Sequence, residues 1–327
     1  MRAVAIDAHG GLDQVRLRTD WPEPKAGPGQ AVVEVKACGL NYLDVFVLQG
    51  MPGLPVEMPR IPGGDIAGIV HSVGARVSRE WVGRRVLIDP HIKPGGALGE
   101  HANGGLCERI AIEAENLIHM PDAVTFEQAA SLPIAYGTAY RMLITRGRLQ
   151  AGELVLILGA SGGVGTGCVQ IAKNLKARVI ACASSPEKLR RLKELGADHV
   201  IDYTKEDFSK TAWELSGKKG VDVLVNYTGG DTWVPSLRTL AKHGRLLTCG
   251  ATAGFDPKTD IRYIWRREVN IIGANGWARE DLEALLVEVE RGTIKPIIDR
   301  VLPLADSAEA MRLLQDREVF GKVIVTP

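Results

Sequence analysis

Leu154-Val155-Leu156-Ile157-Leu158-Gly159-Ala160-Ser161-Gly162-Gly163-Val164-Gly165 is the stretch on which the reading of this chain turns. Its five leading apolar residues read as a strand buried on both faces, and helical spacing follows at Val169, Ala172, Lys173 and Leu175. In the turn between them Ala160 stands where the first glycine of a G-x-G-x-x-G pattern would be, while Gly162 and Gly165 keep the other two. Gly162 lets the backbone approach a pyrophosphate, Gly165 lets helix and strand pack closely, and the helix N-terminus offers free N–H groups and a positive dipole end. Ala177-Arg178-Val179-Ile180-Ala181-Cys182-Ala183 reads as a second buried strand, which completes a βαβ unit. That context favours a dinucleotide cradle made by Ala160, Ser161, Gly162, Gly163, Val164 and Gly165 over a merely structural turn.

Strands near 154–158, 178–183, 221–225 and 245–249 alternate with helical patterns at 186–195, 205–215 and 233–241, and the apolar run Val269–Gly273 ends the sheet. Upstream, from Met1 to about Ala135, short apolar runs such as Ala31–Ala37, Ile66–Val70 and Arg84–Ile88 are punctuated by Gly and Pro, the pattern of a β-rich domain. Phe126–Ala130 starts helical, Pro133 is read as a break, and Ala139–Leu143 resumes, which puts the domain crossing here. Downstream come a helix from Asp281 to Arg291, the stretch Ile297 to Pro303, a short helix at 306–315 and a closing strand Lys322–Val325. The expected fold class is α/β, a doubly wound parallel Rossmann sheet plus a β-rich domain.

Composition bounds the function. At 327 residues the chain is long enough for two ordinary domains. A formal net charge of +1 with no basic run makes no case for a nucleic-acid or anionic-membrane partner. The N-terminal run carries Asp7 and lacks the apolar core of a signal peptide, and no stretch approaches a membrane span. Five cysteines, scattered and never spaced C-x-x-C, read as reduced thiols of a cytoplasmic protein.

Several motifs in order carry a resemblance over essentially the whole chain. They are Ala37-Cys38-Gly39-Leu40-Asn41-Tyr42-Leu43-Asp44, Ile61-Pro62-Gly63-Gly64-Asp65-Ile66-Ala67-Gly68, Leu132-Pro133 with Gly137-Thr138-Ala139-Tyr140, the turn Ala160–Gly165, Glu194–Asp198 and Gly321-Lys322-Val323-Ile324-Val325. The chain resembles the medium-chain dehydrogenases/reductases, in their zinc-independent, quinone-oxidoreductase-like branch. The resemblance implies a GroES-like catalytic domain built from 1–135 and 276–327, a Rossmann NADP(H)-binding domain at 136–275, and an active site in the cleft between them.

Zinc-dependent alcohol dehydrogenases of this superfamily hold the metal with a cysteine, a histidine and a third ligand. Carried over, these fall on Asn41, Gly64 and about Ile134, and the neighbouring glutamate falls on Asp65. An amide, a hydrogen and an alkyl group make no zinc site, so none is expected. His91, His101 and Cys107 have spacings that fit no alternative one. Without a Lewis acid the chemistry favours conjugated acceptors, because hydride addition to a quinone or enone spreads negative charge into a phenolate or enolate. By resemblance Asn41 and Tyr42 are the candidate donors, with Asp65 a third candidate. The competing readings are a helix cap for Asn41, a packed ring for Tyr42 and a ligand for turn amides for Asp65. Enoyl-thioester reductases of the superfamily place a tyrosine shortly after a Gln-Gly like Gln49-Gly50, where this chain has Met51-Pro52.

NAD-preferring enzymes end the second Rossmann strand with an acid on the ribose 2′-OH. Here that place is Ala183-Ser184-Ser185, with Lys188 one turn on and Tyr203 ending the third strand. Ser184, Lys188 and Tyr203 match positions that hold a 2′-phosphate in the resembling family, so the expected cofactor is NADPH. Thr138, Gly229 and Gly250 fall at strand ends or helix starts where the family contacts its cofactor. The expected activity is NADPH-dependent, metal-free reduction of quinones or enones. A metal-free alcohol dehydrogenase or ketone reductase acting on aryl or bulky ketones, and a non-catalytic NADPH-binding protein, are the alternatives. The apolar edge strand Val269–Gly273 and the resemblance imply a homodimer or homotetramer.

Overall fold

Short apolar runs between Gly and Pro turns form the strands of the N-terminal region in the computed structural model, which describes residues 1–51 and 55–327. Pro52 of the Met51-Pro52 departure lies outside the described residues. In chain order the strands are β1 (Ala3–Ile6), β2 (Val15–Arg18), β3 (Gln30–Leu40), β4 (Asp65–Val73), β5 (Arg85–Ile88), β6 (Arg109–Glu113) and β7 (Leu117–His119). In the middle of β3 burial alternates, with Val33 and Val35 inward and Glu34 and Lys36 outward, as a half-solvated antiparallel strand should. From Ala37 to Leu40 every residue is buried, so the strand runs into the core just before the helix Tyr42–Gln49.

The second region alternates strand and helix. β8 (Leu154–Ile157), β9 (Arg178–Ala183), β10 (His199–Asp202), β11 (Val221–Val225), β12 (Leu240–Thr248) and β13 (Asn270–Gly273) lie parallel in the order β10-β9-β8-β11-β12-β13. This is the doubly wound order, and its direction reverses between β8 and β11, which opens a crevice at the strands' carboxyl ends. β8 is buried throughout because helices cover both faces of such a sheet, as its unbroken apolar run requires. Helix starts follow caps: the expected helix at 205–215 begins at Phe208, since the Asp207 carboxylate accepts the N–H groups of Ser209 and Lys210. The helix expected at 233–241 stops at Thr239 because Leu240 already has extended backbone and opens β12.

Finally β14 (Ile298–Pro303) and β15 (Lys322–Thr326) return to the first sheet, whose order is β14-β15-β3-β4-β5-β7 with β6 also on β3. The chain divides into two compact units, Met1–Ile134 with Leu282–Pro327, and Ala135–Asp281. The return thus comes at 282 rather than at 276. Asp281 explains it: its carboxylate accepts from Thr145 Oγ1 and Ala278 N, both at 2.8 Å, and lies 3.6 Å from Arg141, which ties the first turn of the helix Arg279–Glu290 to the second unit.

The helix Phe126–Ala129 ends before Pro133, but the chain turns helical again at Leu132 rather than at Ala139. Leu132–Gly137 and Arg141–Arg146 are π-helical around the α-turn Thr138–Tyr140. Pro133 is the second residue of its segment, where a missing N–H costs no intrahelical bond. Among the described residues no helix is long and apolar enough to cross a membrane.

One buried carboxylate fixes the start of the helix Tyr42–Gln49. Asp44 accepts the Asn41 N–H at 2.8 Å and the Gly63 N–H at 2.7 Å, so it joins that helix to the loop entering β4. Burial pushes its carboxyl up to about 6, against the two backbone donors and the Lys322 charge that favour the anion. A carboxyl raised on folding stabilises fully below its unfolded value, near 3.8, and loses that contribution as pH rises through about 6. Asp44→Asn should cost about 1–3 kcal/mol by turning an NH2 toward a backbone donor. It should also remove this loss of stability between about pH 4 and pH 7. Denaturant titrations of both proteins across that window check it, and equal slopes would show that Asp44 does not titrate there.

Candidate active site

The turn between β8 and the helix Gly163–Asn174 is built from small residues for two different reasons. A Cβ on Gly165 would stand 2.5 Å from Ala160 Cα and from Gly159 O, so only glycine lets helix and strand approach this closely. A Cβ on Gly162 would meet nothing nearer than Gly159 O at 3.8 Å, which leaves an open face in front of the helix N-terminus. Gly163, Val164 and Gly165 open the helix, and their N–H groups belong to the first turn, where a phosphate binds well. Ala160 is fully buried and donates its N–H to Cys182 O on β9. The positive φ of this turn, +63°, falls on Gly159, whose carbonyl accepts the Tyr227 hydroxyl at 2.7 Å. Gly159 and Tyr227 were not among the sequence candidates. The glycine could have been found from its place directly after the strand, and the tyrosine offered no local signal.

At the carboxyl ends of β9 and β10 the structure brings Ser184 and Tyr203 together. Tyr203 N donates to Ala183 O, and Asp202 is in register with Ala183. Ser184 is exposed, and Ser185 caps the helix Pro186–Glu194 by accepting the Lys188 N–H. The nearby carboxylate, Asp202, is occupied by its own turn: Thr204 donates both its N–H and its hydroxyl to it, which holds the carboxyl below the usual range. No acid therefore stands at the end of β9 itself.

Beyond β11 the loop is ordered by fully buried Asn226, another residue the sequence reading missed. Its Oδ1 accepts the N–H groups of Thr228 and Gly229, and its Nδ2 donates to Thr232 and Ser236 hydroxyls. Gly229 has φ +68° and is buried, while a Cβ on Gly250 after β12 would meet nothing nearer than Tyr227 O at 3.8 Å. Thr138 is buried in the short α-turn between the two π-helical segments.

The first unit carries a buried polar cluster. Asn41 follows β3 as the N-cap of the helix Tyr42–Gln49, in a capping box with Asp44, whose carboxylate accepts the Asn41 N–H. Its amide also reaches further: Asn41 Nδ2 donates to Asp65 Oδ2 at 2.8 Å, and Asn41 Oδ1 accepts from Lys322 Nζ at 2.7 Å. Lys322 Nζ also donates to Asp65 Oδ2 at 2.9 Å and to Leu40 O at 2.8 Å, and Asp65 Oδ1 accepts the Ile134 N–H at 2.8 Å. Asp65 is 0% exposed and Lys322 1%. So Asn41 and Asp65 are brought together, and the residue that joins them is one the sequence placed in a closing strand and a terminal motif, with no role at the site. A lysine among Val323, Ile324 and Val325 was the available signal. Tyr42, the third candidate, packs its ring edge-on against Phe46 at 5.0 Å and against the core of the unit.

This cluster does not suit a zinc ion. The amide of Asn41 is held by an ammonium and a carboxylate, and a Cβ on Gly64 would stand 2.9 Å from Ile134 Cδ1 and 3.0 Å from Leu98 O, leaving no room for an imidazole. Among the described residues no three His, Cys, Asp or Glu side chains are grouped as ligands. His91 pairs with Asp89, His101 accepts the Ala97 N–H, and the thiol of Cys107 is buried and pushed up to about 12.

Both parts of the chain match known families. Residues 27–122 match the family described as alcohol dehydrogenase GroES-like domain, and residues 163–291 match the one described as zinc-binding dehydrogenase. The human synaptic vesicle membrane protein VAT-1 homolog is 31% identical over 100% of this chain and 86% of its own length. A quinone oxidoreductase of Pseudomonas aeruginosa is 32% identical over 100% and 99%. A crystal structure of an NAD-dependent alcohol dehydrogenase is 36% identical, with a TM-score of 0.93 and both chains covered completely. With both domains matched in order and relatives similar along their whole length, the chain belongs to the medium-chain dehydrogenase/reductase superfamily of oxidoreductases, whose fold binds a nicotinamide cofactor.

Proposed function

We propose that this chain is an NADPH-dependent oxidoreductase that passes hydride, without a catalytic metal, to quinones or other conjugated carbonyls such as enones. The observation that carries this reading is the Lys322 ammonium bonded to Asn41 Oδ1 and Asp65 Oδ2, at the positions where the superfamily's zinc enzymes keep the cysteine ligand and the glutamate next to the histidine ligand. NADPH, when bound, supplies the hydride; the acceptor takes it together with a proton from solvent, so the products are NADP+ and the two-electron-reduced acceptor. With no Lewis acid in the donor set, the developing negative charge is tolerable where conjugation spreads it and hydrogen-bond donors meet it. Asn41 is the donor we assign, through the Nδ2 hydrogen that Asp65 does not take.

For the cofactor, the small-residue turn with its helix N-terminus holds the pyrophosphate. Ser184, Lys188 and Tyr203 at the ends of β9 and β10 hold a 2′-phosphate, which no carboxylate at the end of β9 repels. The neighbour named as NAD-dependent makes this the point to test. The same neighbour, an alcohol dehydrogenase, supports a second reading in which the acceptor is an aryl or bulky ketone. Unpaired cysteines, four of them buried, support a reducing, cytoplasmic setting.

The chain also pairs with itself in this reading. β13 is the edge of its sheet and has exposed residues along it, and the segment before it exposes Phe255, Ile261 and Trp265. A second copy covering that edge gives a homodimer, and two of these a homotetramer. Sedimentation at micromolar concentration should show one of the two; a monomer would remove the proposal.

Steady-state oxidation of NADPH by chelator-treated protein, against a quinone, an enone, an aryl ketone and a simple aldehyde, tests the activity. Turnover of the quinone or enone is the expected outcome. Turnover of the aryl ketone alone would move the assignment to a ketone reductase, and tight NADPH binding with no turnover would make the protein a non-catalytic binder. Lys188→Ala should raise KM for NADPH by roughly tenfold or more, as loss of a charged contact does, and leave KM for NADH nearly unchanged. Equal effects on both would show that Lys188 does not meet the 2′-phosphate.

A further inference from the structure

Lys322 reaches Asn41 and Asp65 from a strand 281 residues further along the chain than Asn41. At 1% exposure its ammonium has lost its water, and three oxygens replace it: Leu40 O at 2.8 Å, Asn41 Oδ1 at 2.7 Å and Asp65 Oδ2 at 2.9 Å. Three donors and three acceptors make the shell complete. Such a residue is costly to bury, and apolar residues of similar volume would often be at least as stable, so stability alone is a weak reason for it.

Two consequences follow for the amide beside it. First, an ammonium can only donate and a carboxylate can only accept, so Oδ1 must face Lys322 and Nδ2 must face Asp65. The carboxamide therefore has one allowed orientation, and of its two Nδ2 hydrogens one is bound by Asp65 and the other stays available. Second, Asp65 is a fully buried carboxylate in hydrogen-bond contact with the group that would receive a developing oxyanion. Alone, it would oppose that charge at short range in a medium of low dielectric. Lys322 cancels it.

We propose that Lys322 is a positioning residue for the reaction: it locks the Asn41 carboxamide with one Nδ2 hydrogen free for the acceptor oxygen, and it neutralises Asp65 so that negative charge can develop there. This rests on the metal-free hydride-transfer reading above. It assigns Lys322 no contact with substrate.

The test separates this role from a purely structural one. Lys322→Gln leaves Asp65 buried and unpaired and should destabilise the fold, whereas Lys322→Gln with Asp65→Asn removes both charges and should recover most of the lost stability. The double variant no longer needs Asp65 neutralised but has lost the lock on the carboxamide, so if that lock acts as proposed it still loses roughly 10- to 1000-fold in kcat, with KM for NADPH unchanged. Recovery of kcat together with stability would overturn the proposal. The side-chain amide resonances of Asn41, assigned with asparagine-labelled protein, give a readout that needs no turnover. In the wild type they should be a well-separated, slowly exchanging pair, and in the double variant they should converge and exchange faster. An unchanged pair overturns the proposal even if the activity reading holds. Should the wild type reduce no acceptor, the activity reading fails while the resonances still decide whether Lys322 sets the amide.

Discussion

Asp65 is the group on which the first unit's polar interior depends. It is fully buried, and each of its oxygens is used: Oδ1 by the Ile134 N–H, Oδ2 by Asn41 Nδ2 and Lys322 Nζ. Through it the first residue of β4, the end of β3, the last strand and the π-helical segment beginning at Leu132 are held to one point. A carboxylate in that place without its cation would carry a desolvation cost of several kcal/mol. The closing strand is therefore part of the N-terminal sheet for an electrostatic reason as well as for its ladder bonds with β3.

The neighbouring carboxylate, Asp44, shows how differently two buried acids can be used. It meets only backbone N–H groups at close range and fixes the geometry of a helix start and a loop. Asp65 meets a full counter-charge and fixes a side chain. The first is an element of folding, and the second orients an amide that, in our reading, faces the reacting oxygen. Both sit among apolar residues that keep water out, which is what gives each contact its strength.

In the second unit the dependence is on small residues rather than charge. Gly165 permits the close approach of helix to strand, Gly162 leaves the face of the turn open, and Asn226 organises the loop at the far side of the crevice without any ion. The second unit is thus ordered by small residues and backbone groups, and the first by buried charged and amide side chains.

Read alone, the sequence determined most of the architecture. The unbroken apolar run 154–158 and the glycine turn after it could only be a buried parallel strand entering a helix, and the strand-helix alternation that follows set the sheet. These signals are local, because periodicity and turn chemistry act over a few residues. Boundaries that depend on a single cap or ion pair, such as Asp207 and Asp281, were off by a few residues for the same reason. At the candidate site, Asn41 and Asp65 were legible from motif and position. That they touch, and that Lys322 joins them, were decided only by tertiary structure. Antiparallel pairing of β15 with β3 brings together residues at opposite ends of the chain, and no window of sequence contains that contact.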